Sequence, residues 1–368
     1  MVRVHAAPLE VIRTLEVSFP SAEPGVVLTA HWTAPPVAAD GALAIIALHG
    51  CDGLPTDRSR VGYPRNRYTK MLRDAGAGVL YVDSFGPRGE ASICAQKLSD
   101  RKIFDDNRRM DVAGALHWLA KQPDVDARCL GVLGWSHGGS AVLAVADATN
   151  DAVRQAAIKP AALVAFYPGC GAYDLMLRYD VVAPLLVMTG ELDNWTPAAP
   201  CERLTSRGQP VRYVPYPGSY HAFDGTSPVT ERDNAGGTRF GKAMAGGNPE
   251  ARAASAAEML RFYEQYLGLH PAAESKLAEV HASAVPAPTQ FAALAYVDRL
   301  PKVSENGKAL YREWLTKPFP RAVAISGQGA LARGYGAQAI ETAVRNCEKL
   351  GDPCRVYAVD DQVVWTSP

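Results

Sequence analysis

Ser136 lies within the sequence GWSHGG at 134–139, which fits the pattern G-x-S-x-G. The motif follows the apolar run 129–135 and precedes the helix-compatible segment 139–148, so we expect a strand, a tight turn and a helix in that order. Such a turn holds a serine hydroxyl out above a sheet, where it can act as a nucleophile. The alternative is a structural glycine turn without chemistry.

A serine hydroxyl is nearly unreactive at neutral pH, so it needs a base to take its proton and an acid to hold that base. Asp193 follows the apolar run 183–191 in the sequence ELDNWTP, and His221 lies in GSYHAFD after the next predicted strand. The order serine, acid, histidine along the chain suits nucleophilic acyl transfer. We therefore predict that Ser136, Asp193 and His221 form a catalytic triad.

Other residues compete for two of these roles. Glu191 is the rival acid, although it sits closer to the preceding strand. His270 and His281 are the other histidines after Asp193, but both follow the last predicted helix of this region, in a segment that resembles a linker. A lone histidine is also often a solvated or core residue.

The negative charge of a tetrahedral intermediate needs backbone N–H donors aimed at it. We expect the first donor to be the residue after the nucleophile, His137. The second should come from the glycine-containing loop 48–54, where the N–H of Cys51 is the candidate. Cys51 could also be a buried small residue or half of a disulfide, and neither role would remove its N–H from the oxyanion hole.

Six short apolar runs must carry these side chains. Runs of this kind predict strands that are buried on both faces, as in a parallel sheet covered by helices. They span 42–50, 77–85, 129–136, 161–169, 183–191 and 211–220. Helical patterns at 108–122, 139–148 and 249–268 lie between or after them. This alternation predicts an α/β fold with a doubly wound, mostly parallel sheet.

The composition excludes several classes of function. The 368-residue chain is 48% hydrophobic and 21% charged, with a formal net charge of zero, as in an ordinary soluble globular protein. We expect no nucleic-acid partner, because no basic patch stands out, and no membrane span, because no apolar run approaches about 20 residues. The sequence leaves the oligomeric state open.

The N-terminus, MVRVHAAPLE, has no apolar core of the kind that signal peptides carry. As written, the chain is expected in the cytoplasm. Its small residues nevertheless resemble a signal-peptidase site, so a periplasmic or secreted location stays open if a signal peptide has been removed.

The seven cysteines contain no CxxC motif and no cluster with histidines, so we expect no metal. Their odd number leaves at least one outside any intrachain disulfide. Cys347 and Cys354 flank a short turn and could pair in an oxidising compartment, and Cys170 and Cys201 are a second candidate pair. Spacing alone decides neither case.

Six short sequences, in their order along the chain, resemble the dienelactone hydrolase family of α/β-hydrolases. They are LHGCDG, YVDSFGPRG, GWSHGG, FYPGCG, GELDNWTP and YPGSYHAFD. The resemblance covers about residues 12–268. It implies the α/β-hydrolase fold, a triad of Ser136, Asp193 and His221, no metal or cofactor, and hydrolysis of small-molecule esters or lactones.

The nucleophile departs from the family pattern, because the founding members use cysteine where this chain has Ser136. This difference points away from dienelactone itself and towards a general carboxylesterase. Arg88 falls near the place where the family has an arginine for a substrate carboxylate, and a surface salt bridge is the equal alternative. Trp135 and Trp195 flank the triad in sequence, so each is expected to line an apolar acyl pocket or to serve packing.

The pattern of the sequence changes after Leu269. We predict a catalytic domain at 1–269, a linker with helical segments at 270–318 and a small α+β module at 319–368. The module is expected to contain a strand, a helix and a hairpin, at 321–326, 340–347 and 355–365. It resembles small modules that recur as tails on bacterial proteins, and support of folding, dimer contact and cell-envelope attachment all stay open.

Two rival functions stand beside the serine ester hydrolase. A peptidase related to prolyl oligopeptidase would have a similar serine motif, but no β-propeller precedes the catalytic region in this sequence. A binding or envelope-associated protein could use a catalytically silent hydrolase scaffold. The complete set of three residues argues against the second rival.

Overall fold

The computed structural model describes residues 14–36, 41–54, 64–206, 210–233, 235–238, 240–269, 289, 291–292, 294–317, 321–335, 339–351, 353–360 and 362–366. Contacts between residues divide the chain into two units, Met1–Ala272 and Ala273–Pro368.

The first unit is built on one eight-stranded sheet. Its strands are β1 (Thr14–Pro20), β2 (Val27–Thr33), β3 (Ala42–Leu48), β4 (Gly78–Asp83), β5 (Val125–Trp135), β6 (Ala162–Phe166), β7 (Leu185–Gly190) and β8 (Val211–Tyr216). They lie in the order β1-β2-β4-β3-β5-β6-β7-β8. All neighbours from β4 to β8 are parallel, whereas β2 pairs with both β1 and β4 in antiparallel fashion. The predicted, mostly parallel α/β sheet is confirmed.

Strands β1 and β2 were not predicted, and their burial explains why. Strand β1 lies at the edge of the sheet and only Phe19 in it is buried. Strand β2 alternates buried and partly exposed residues. Neither strand has the continuous apolar run that marks a strand covered on both faces.

Helices cover both faces of the sheet. They are α1 (Pro64–Asp74), α2 (Asp105–Leu119), α3 (His137–Ala146), α4 (Asp151–Gln155), α5 (Gly171–Asp174), α6 (Ala198–Thr205) and α7 (Pro249–Leu267). Because side chains alternate along a strand, Ile46 of β3 joins one core with α2 and α3, and Ile45 joins the other core with α1 and α7. Because helices pack on both faces of the sheet, the position and direction of each strand end are fixed.

A short ribbon holds the loop that carries His221. Strands β9 (Thr230–Arg232) and β10 (Ala243–Ala245) pair in antiparallel fashion. His221 forms a β-bridge with Ala245, and its carbonyl accepts a hydrogen bond of 2.9 Å from the N–H of Gly246. The backbone at His221 is therefore fixed by contacts with the end of β10.

In its described residues, the second unit contains a four-stranded antiparallel sheet and two α-helices. Its elements are α8 (Glu305–Trp314), β11 (Arg321–Ser326), β12 (Leu331–Tyr335), α9 (Ala339–Glu348), β13 (Cys354–Val359) and β14 (Gln362–Val363), with strand order β12-β11-β13-β14. The predicted strand, helix and hairpin are present, whereas β12 was not predicted. Within α9, Ala343 and Cys347 are fully buried.

The predicted linker at 270–318 was too long. Residues 270–288 lie outside the described residues, but Tyr311 and Trp314 of α8 are fully buried in the core of the second unit. The Arg321 guanidinium lies 4.4 Å from the Trp314 ring and donates a hydrogen bond of 2.7 Å to the Trp314 carbonyl. These contacts make α8 part of the folded module.

The turn between β5 and α3 has the strained geometry that the motif predicts. Ser136 has φ 53° and ψ −117°, a conformation that costs a non-glycine residue about 1–3 kcal/mol. A Cβ on Gly134 would lie 2.1 Å from the carbonyl oxygen of Gly138, and one on Gly138 would lie 2.2 Å from that of Leu48. Only glycine fits at both positions, so the two glycines allow the turn that lifts the serine.

The substitution Gly138→Ala should destabilise the protein by about 3 kcal/mol or more, because the added methyl group would meet backbone atoms that cannot move aside. The matched control is Gly171→Ala, since a Cβ at Gly171 has no atom within 4 Å. That control should stay within about 0.5 kcal/mol of the wild type. Urea unfolding of both variants measures the difference, and equal midpoints would contradict the steric account of the turn.

Candidate active site

The hydroxyl of Ser136, the ring of His221 and the carboxylate of Asp193 form one hydrogen-bonded chain. The Oγ of Ser136 lies 2.9 Å from Nε2 of His221, and Nδ1 of the same ring lies 2.8 Å from Oδ2 of Asp193. A carboxylate can only accept, so Nδ1 carries the proton and Nε2 is left as an acceptor for the serine hydroxyl. All three residues are less than 10% exposed.

Parallel strands bring these residues together. Ser136 follows β5, Asp193 follows β7 and His221 follows β8. Because the strands are parallel, their carboxyl ends lie at the same edge of the sheet, which is where open α/β sheets bind ligands. The three side chains thus meet although 85 positions separate Ser136 from His221.

The carboxylate of Asp193 is held in place by its own loop. Its Oδ1 accepts hydrogen bonds from the N–H groups of Trp195, at 2.8 Å, and Thr196, at 2.9 Å. The hydroxyl of Thr196 lies 2.9 Å from Oδ2. The rival acid Glu191 is exposed and none of its described contacts is with His221, and the rival histidines His270 and His281 lie outside the described residues. Asp193 is therefore the acid that reaches the imidazole.

Two aromatic rings enclose His221. The ring of Tyr167 lies edge-on at a centroid distance of 4.7 Å, and the ring of Trp195 lies at 4.9 Å. Tyr167 has a positive φ of 38°, and its hydroxyl donates a hydrogen bond of 2.7 Å to the fully buried Asp224. Burial raises the pKa of Asp224 above its usual range, with the two tyrosine hydroxyls that bond it acting in the other direction.

Sequence reasoning missed Tyr167 and Thr196, although both lie in motifs that carried the resemblance. Tyr167 directly follows β6 in the sequence FYPGCG, and Thr196 stands three positions after the acid in ELDNWTP. A position next to a strand end was therefore an available signal for both. Trp195 was singled out, and its contact with His221 places it beside the reacting groups.

The loop that carries Cys51 lies against the nucleophile. A Cβ built on Gly50 would be 3.6 Å from the Cβ of Ser136. In the described part of the chain, neither the N–H of Cys51 nor that of His137, the first residue of α3, donates a hydrogen bond to another residue. Both N–H groups are therefore available to an oxygen bound at Ser136.

A disulfide fixes that loop. Cys51 is bonded to Cys94, and its carbonyl accepts hydrogen bonds from the N–H of Ile93 at 2.8 Å and the hydroxyl of Ser92 at 3.1 Å. The two pairs that spacing had suggested, Cys170–Cys201 and Cys347–Cys354, are also bonded. Cys129 is the remaining free thiol.

The expected role of Arg88 in substrate binding is not supported. Its guanidinium donates to both carboxylate oxygens of the fully buried Asp111, at 2.8 and 3.0 Å, and also binds Glu23 and the carbonyl of Ser84. These partners hold its pKa above the usual value against the opposing effect of burial. The side chain is 11% exposed and is committed to ion pairs within the fold.

Trp135 does not line a pocket either. Its side chain is 4% exposed and stacks on Tyr81 and Phe166 in the core shared with α1 and α7. The reason is the alternation of side chains along a strand: as the last residue of β5, Trp135 points into this core. Ser136 leaves that alternation because it lies in the turn.

Within the described residues, no group of three histidine, cysteine, aspartate or glutamate side chains is arranged to hold a metal ion. No helix in those residues has the length and apolar character needed to cross a bilayer.

Comparisons with known proteins bear on the family and the fold. A model of the dienelactone hydrolase family matches residues 86–267. No curated protein matches the chain. Among solved structures, a candidate dienelactone hydrolase from Klebsiella pneumoniae is 19% identical with a TM-score of 0.51, and the match covers 70% of this chain and 100% of that one.

Two further structures have lower scores. A dienelactone hydrolase from Anabaena variabilis is 21% identical, with a TM-score of 0.49 and coverage of 70% of this chain and 99% of its own. A carboxylesterase from Lactobacillus plantarum is 14% identical, also with a TM-score of 0.49 and with the same two coverages. At 19% identity, the likeness to the Klebsiella pneumoniae structure shows the fold alone.

The family match contains Ser136, Asp193 and His221, and the eight-stranded sheet supplies the expected fold around them. The dienelactone hydrolase family model thus covers the part of the chain that carries these three residues, and the chain has the α/β-hydrolase fold.

Proposed function

We propose that this protein is a serine hydrolase that cleaves carboxylic esters or lactones of small molecules through an acyl-enzyme intermediate. The observation that carries the proposal is the continuous path from the Ser136 oxygen through both ring nitrogens of His221 to the buried Asp193. The match of residues 86–267 to a hydrolase family model supports the reaction class.

In the first half of the reaction, the Oγ of Ser136 attacks the substrate carbonyl and its proton moves to Nε2 of His221. The carbonyl π electrons move to the oxygen, which becomes the oxyanion. When the tetrahedral intermediate collapses, His221 returns the proton to the leaving alcohol. Asp193 keeps the ring in the required tautomer and stabilises its charged form.

In the second half, water attacks the acyl carbon while His221 again accepts the proton. The bond between the acyl carbon and the Ser136 oxygen then breaks, His221 returns the proton to that oxygen, and the acid product leaves. The N–H groups of Cys51 and His137 hold the oxyanion in both halves. Donors fixed in advance stabilise charge at no cost of reorganisation, and removing one such donor typically costs about 2.7–4 kcal/mol of barrier. The disulfide of Cys51 and the helix start at His137 supply that fixation.

The founding members of the family use a cysteine nucleophile. A serine nucleophile is more typical of a general carboxylesterase. The partly buried ring of Trp195 lies beside His221 and presents an apolar surface there, and it is supported from behind by a buried cluster formed by Cys51, Phe85, Ile93, Cys94 and Ile103. We assign this surface to the acyl or alcohol group of an uncharged substrate. The involvement of Arg88 in ion pairs argues against a substrate carboxylate at that position.

The three disulfides favour an oxidising compartment as the place where the protein functions, since thiols are kept reduced in the cytosol. We therefore propose a periplasmic or extracellular location. One of the disulfides holds the proposed oxyanion loop, so this compartment would also suit the active form.

Ser136→Ala should lower kcat/KM on p-nitrophenyl acetate by about 10⁴-fold or more and abolish labelling by a fluorophosphonate probe, because it removes the nucleophile of the proposed mechanism. Asp193→Asn should cost about 10⁴-fold, since the amide favours the wrong tautomer of His221. The control Ser206→Ala changes an exposed serine at the end of α6 and should leave both readouts unchanged.

An aminoacyl arylamide assayed in parallel tests the peptidase alternative, and faster cleavage of this amide than of the ester would favour it. If the wild type and Ser136→Ala are labelled alike, the protein is not a serine hydrolase of this kind. That result would favour the alternative of a binding or envelope-associated protein with a catalytically inactive hydrolase fold.

Arg88→Ala should lower stability by about 3–5 kcal/mol, because it leaves the buried carboxylate of Asp111 without its cation. It should change kcat/KM equally for acetate esters and for half-esters of succinate. The control Arg128→Ala removes an ion pair that is 89% exposed on the arginine side and should do neither. A loss confined to the anionic ester would show that Arg88 binds substrate after all.

A further inference from the structure

Arg108 is a charged side chain that the mechanism above does not use. It lies one turn into α2 and is fully buried. One terminal nitrogen, Nη1, donates to Nδ1 of His137 at 3.0 Å, and the other, Nη2, donates to the carbonyl of His49 at 2.8 Å. The guanidinium carbon lies 5.3 Å from the ring centroid of Phe85, so the cation also faces an aromatic ring.

No carboxylate in the described part of the chain forms an ion pair with Arg108. Asp111 on the same helix forms its ion pair with Arg88. Asp105 binds the hydroxyl of Tyr173 and lies 3.8 Å from Nε2 of His137. Burial lowers the pKa of Arg108 to about 10, so its guanidinium still carries a full charge at neutral pH.

Such a charge is costly to keep. Asp111 and Asp105 act on this charge through space and raise the pKa of Arg108, but burial outweighs them. A buried ion that lacks a paired partner carries a penalty of about 3–5 kcal/mol. The position near the N-terminus of α2 adds to the cost, because the helix dipole disfavours a cation there. Its Nε is also buried without a hydrogen-bond partner. The cost points to a negative charge that appears nearby at some stage of the reaction.

The two hydrogen bonds of Arg108 lead to the two segments that carry the proposed oxyanion donors. His49 stands two residues before Cys51, at the end of β3, and His137 directly follows Ser136. The same two segments touch at Gly138, where a Cβ would lie 2.6 Å from the His49 carbonyl oxygen. One planar guanidinium therefore bridges the end of β3 and the start of α3.

Both histidines at this junction are neutral. Nδ1 of His137 accepts from Arg108, and Nε2 of His49 accepts from the N–H of Ser84 at 3.2 Å. Burial, followed by the nearby charge of Arg108, holds the pKa of each ring well below its usual value. Arg108 is thus the cation at this junction.

We propose that Arg108 is a positioning residue of the oxyanion hole: its guanidinium sets the spacing of the Cys51 and His137 N–H groups, and its charge stabilises the oxyanion across a dry interior. This inference rests on the proposed hydrolase function. A charge in a water-poor interior acts over longer distances than one in solvent, so Arg108 can favour the tetrahedral intermediate without touching it.

The test compares Arg108→Met, which removes the charge, with Arg108→Lys, which keeps the charge but loses the two-pronged contact. Arg109→Met is the matched control, because Arg109 is the next residue on α2 and pairs with Asp106, whose side chain is 72% exposed. The readouts are kcat and KM on p-nitrophenyl acetate and the inhibition constant of an aryl trifluoromethyl ketone. The Ser136 oxygen adds to that ketone to give an anionic hemiketal, while its proton passes to His221.

Arg108→Met should lower kcat by about 10- to 100-fold and change KM by less than about 3-fold. The inhibition constant of the ketone should rise by the same factor as kcat falls. Arg108→Lys should lower both kcat and the affinity for the ketone by about 3- to 10-fold. If the Met variant does not fold, the Lys variant decides. An unchanged kcat, an equal loss in Arg109→Met, or a fall in kcat without weaker ketone binding would overturn the proposal.

The same experiment separates this inference from the proposed function. A wild type that neither hydrolyses the ester nor binds the ketone would refute the hydrolase itself. An active wild type beside an equally active, folded Arg108→Met or Arg108→Lys variant would refute only the role of Arg108.

Discussion

The hydrogen bond from the Ser136 hydroxyl to the His221 ring is the contact on which the rest of the site depends. Two strands of the sheet, β6 and β7, lie between the strands that precede these residues. The bond therefore needs a serine lifted above the sheet edge and a histidine loop that reaches back across it. The positive φ of Ser136 supplies the first, and the bridge between His221 and Ala245 supplies the second.

Strain and buried charge are tolerated here because surrounding contacts fix them. The turn at Ser136 is held by the close approach of Gly138 to the end of β3, where a larger residue would not fit. Asp193 is buried, but two N–H groups and a hydroxyl satisfy its oxygens. Arg108 is the exception, since its partners are neutral. The surroundings of the serine are thus poised to receive negative charge.

The sequence allowed prediction of the residues that stand at the ends of apolar runs. Ser136, Asp193 and His221 each follow such a run, and parallel strands must bring their carboxyl ends to one edge of the sheet. Strands β1 and β2 were missed because an edge strand and its half-exposed neighbour lack a continuous apolar run. Trp135 was misplaced because closeness in sequence to the serine says nothing about the face of β5 on which a side chain lies.

Roles that depend on distant partners could not be predicted. The ion pairs of Arg88 join it to Glu23 and Asp111, which are 65 and 23 positions away. The burial of Arg108 depends on the junction between β3 and α3. In sequence, the start of α2 resembles that of an ordinary helix with charged residues in its first turns. The extent of the second module was also hidden, because the burial of Tyr311 and Trp314 depends on strands that follow them in the chain.

The most direct test of the central claim is to trap the acyl-enzyme and locate its acyl group. The protein is mixed with a slowly deacylating ester, such as p-nitrophenyl pivalate, quenched with acid within milliseconds to seconds, digested, and examined by mass spectrometry. The account predicts one acyl group per chain, on the Ser136 oxygen. An acyl group on another residue, such as the free thiol of Cys129, or hydrolysis with no covalent intermediate at any time point, would contradict it.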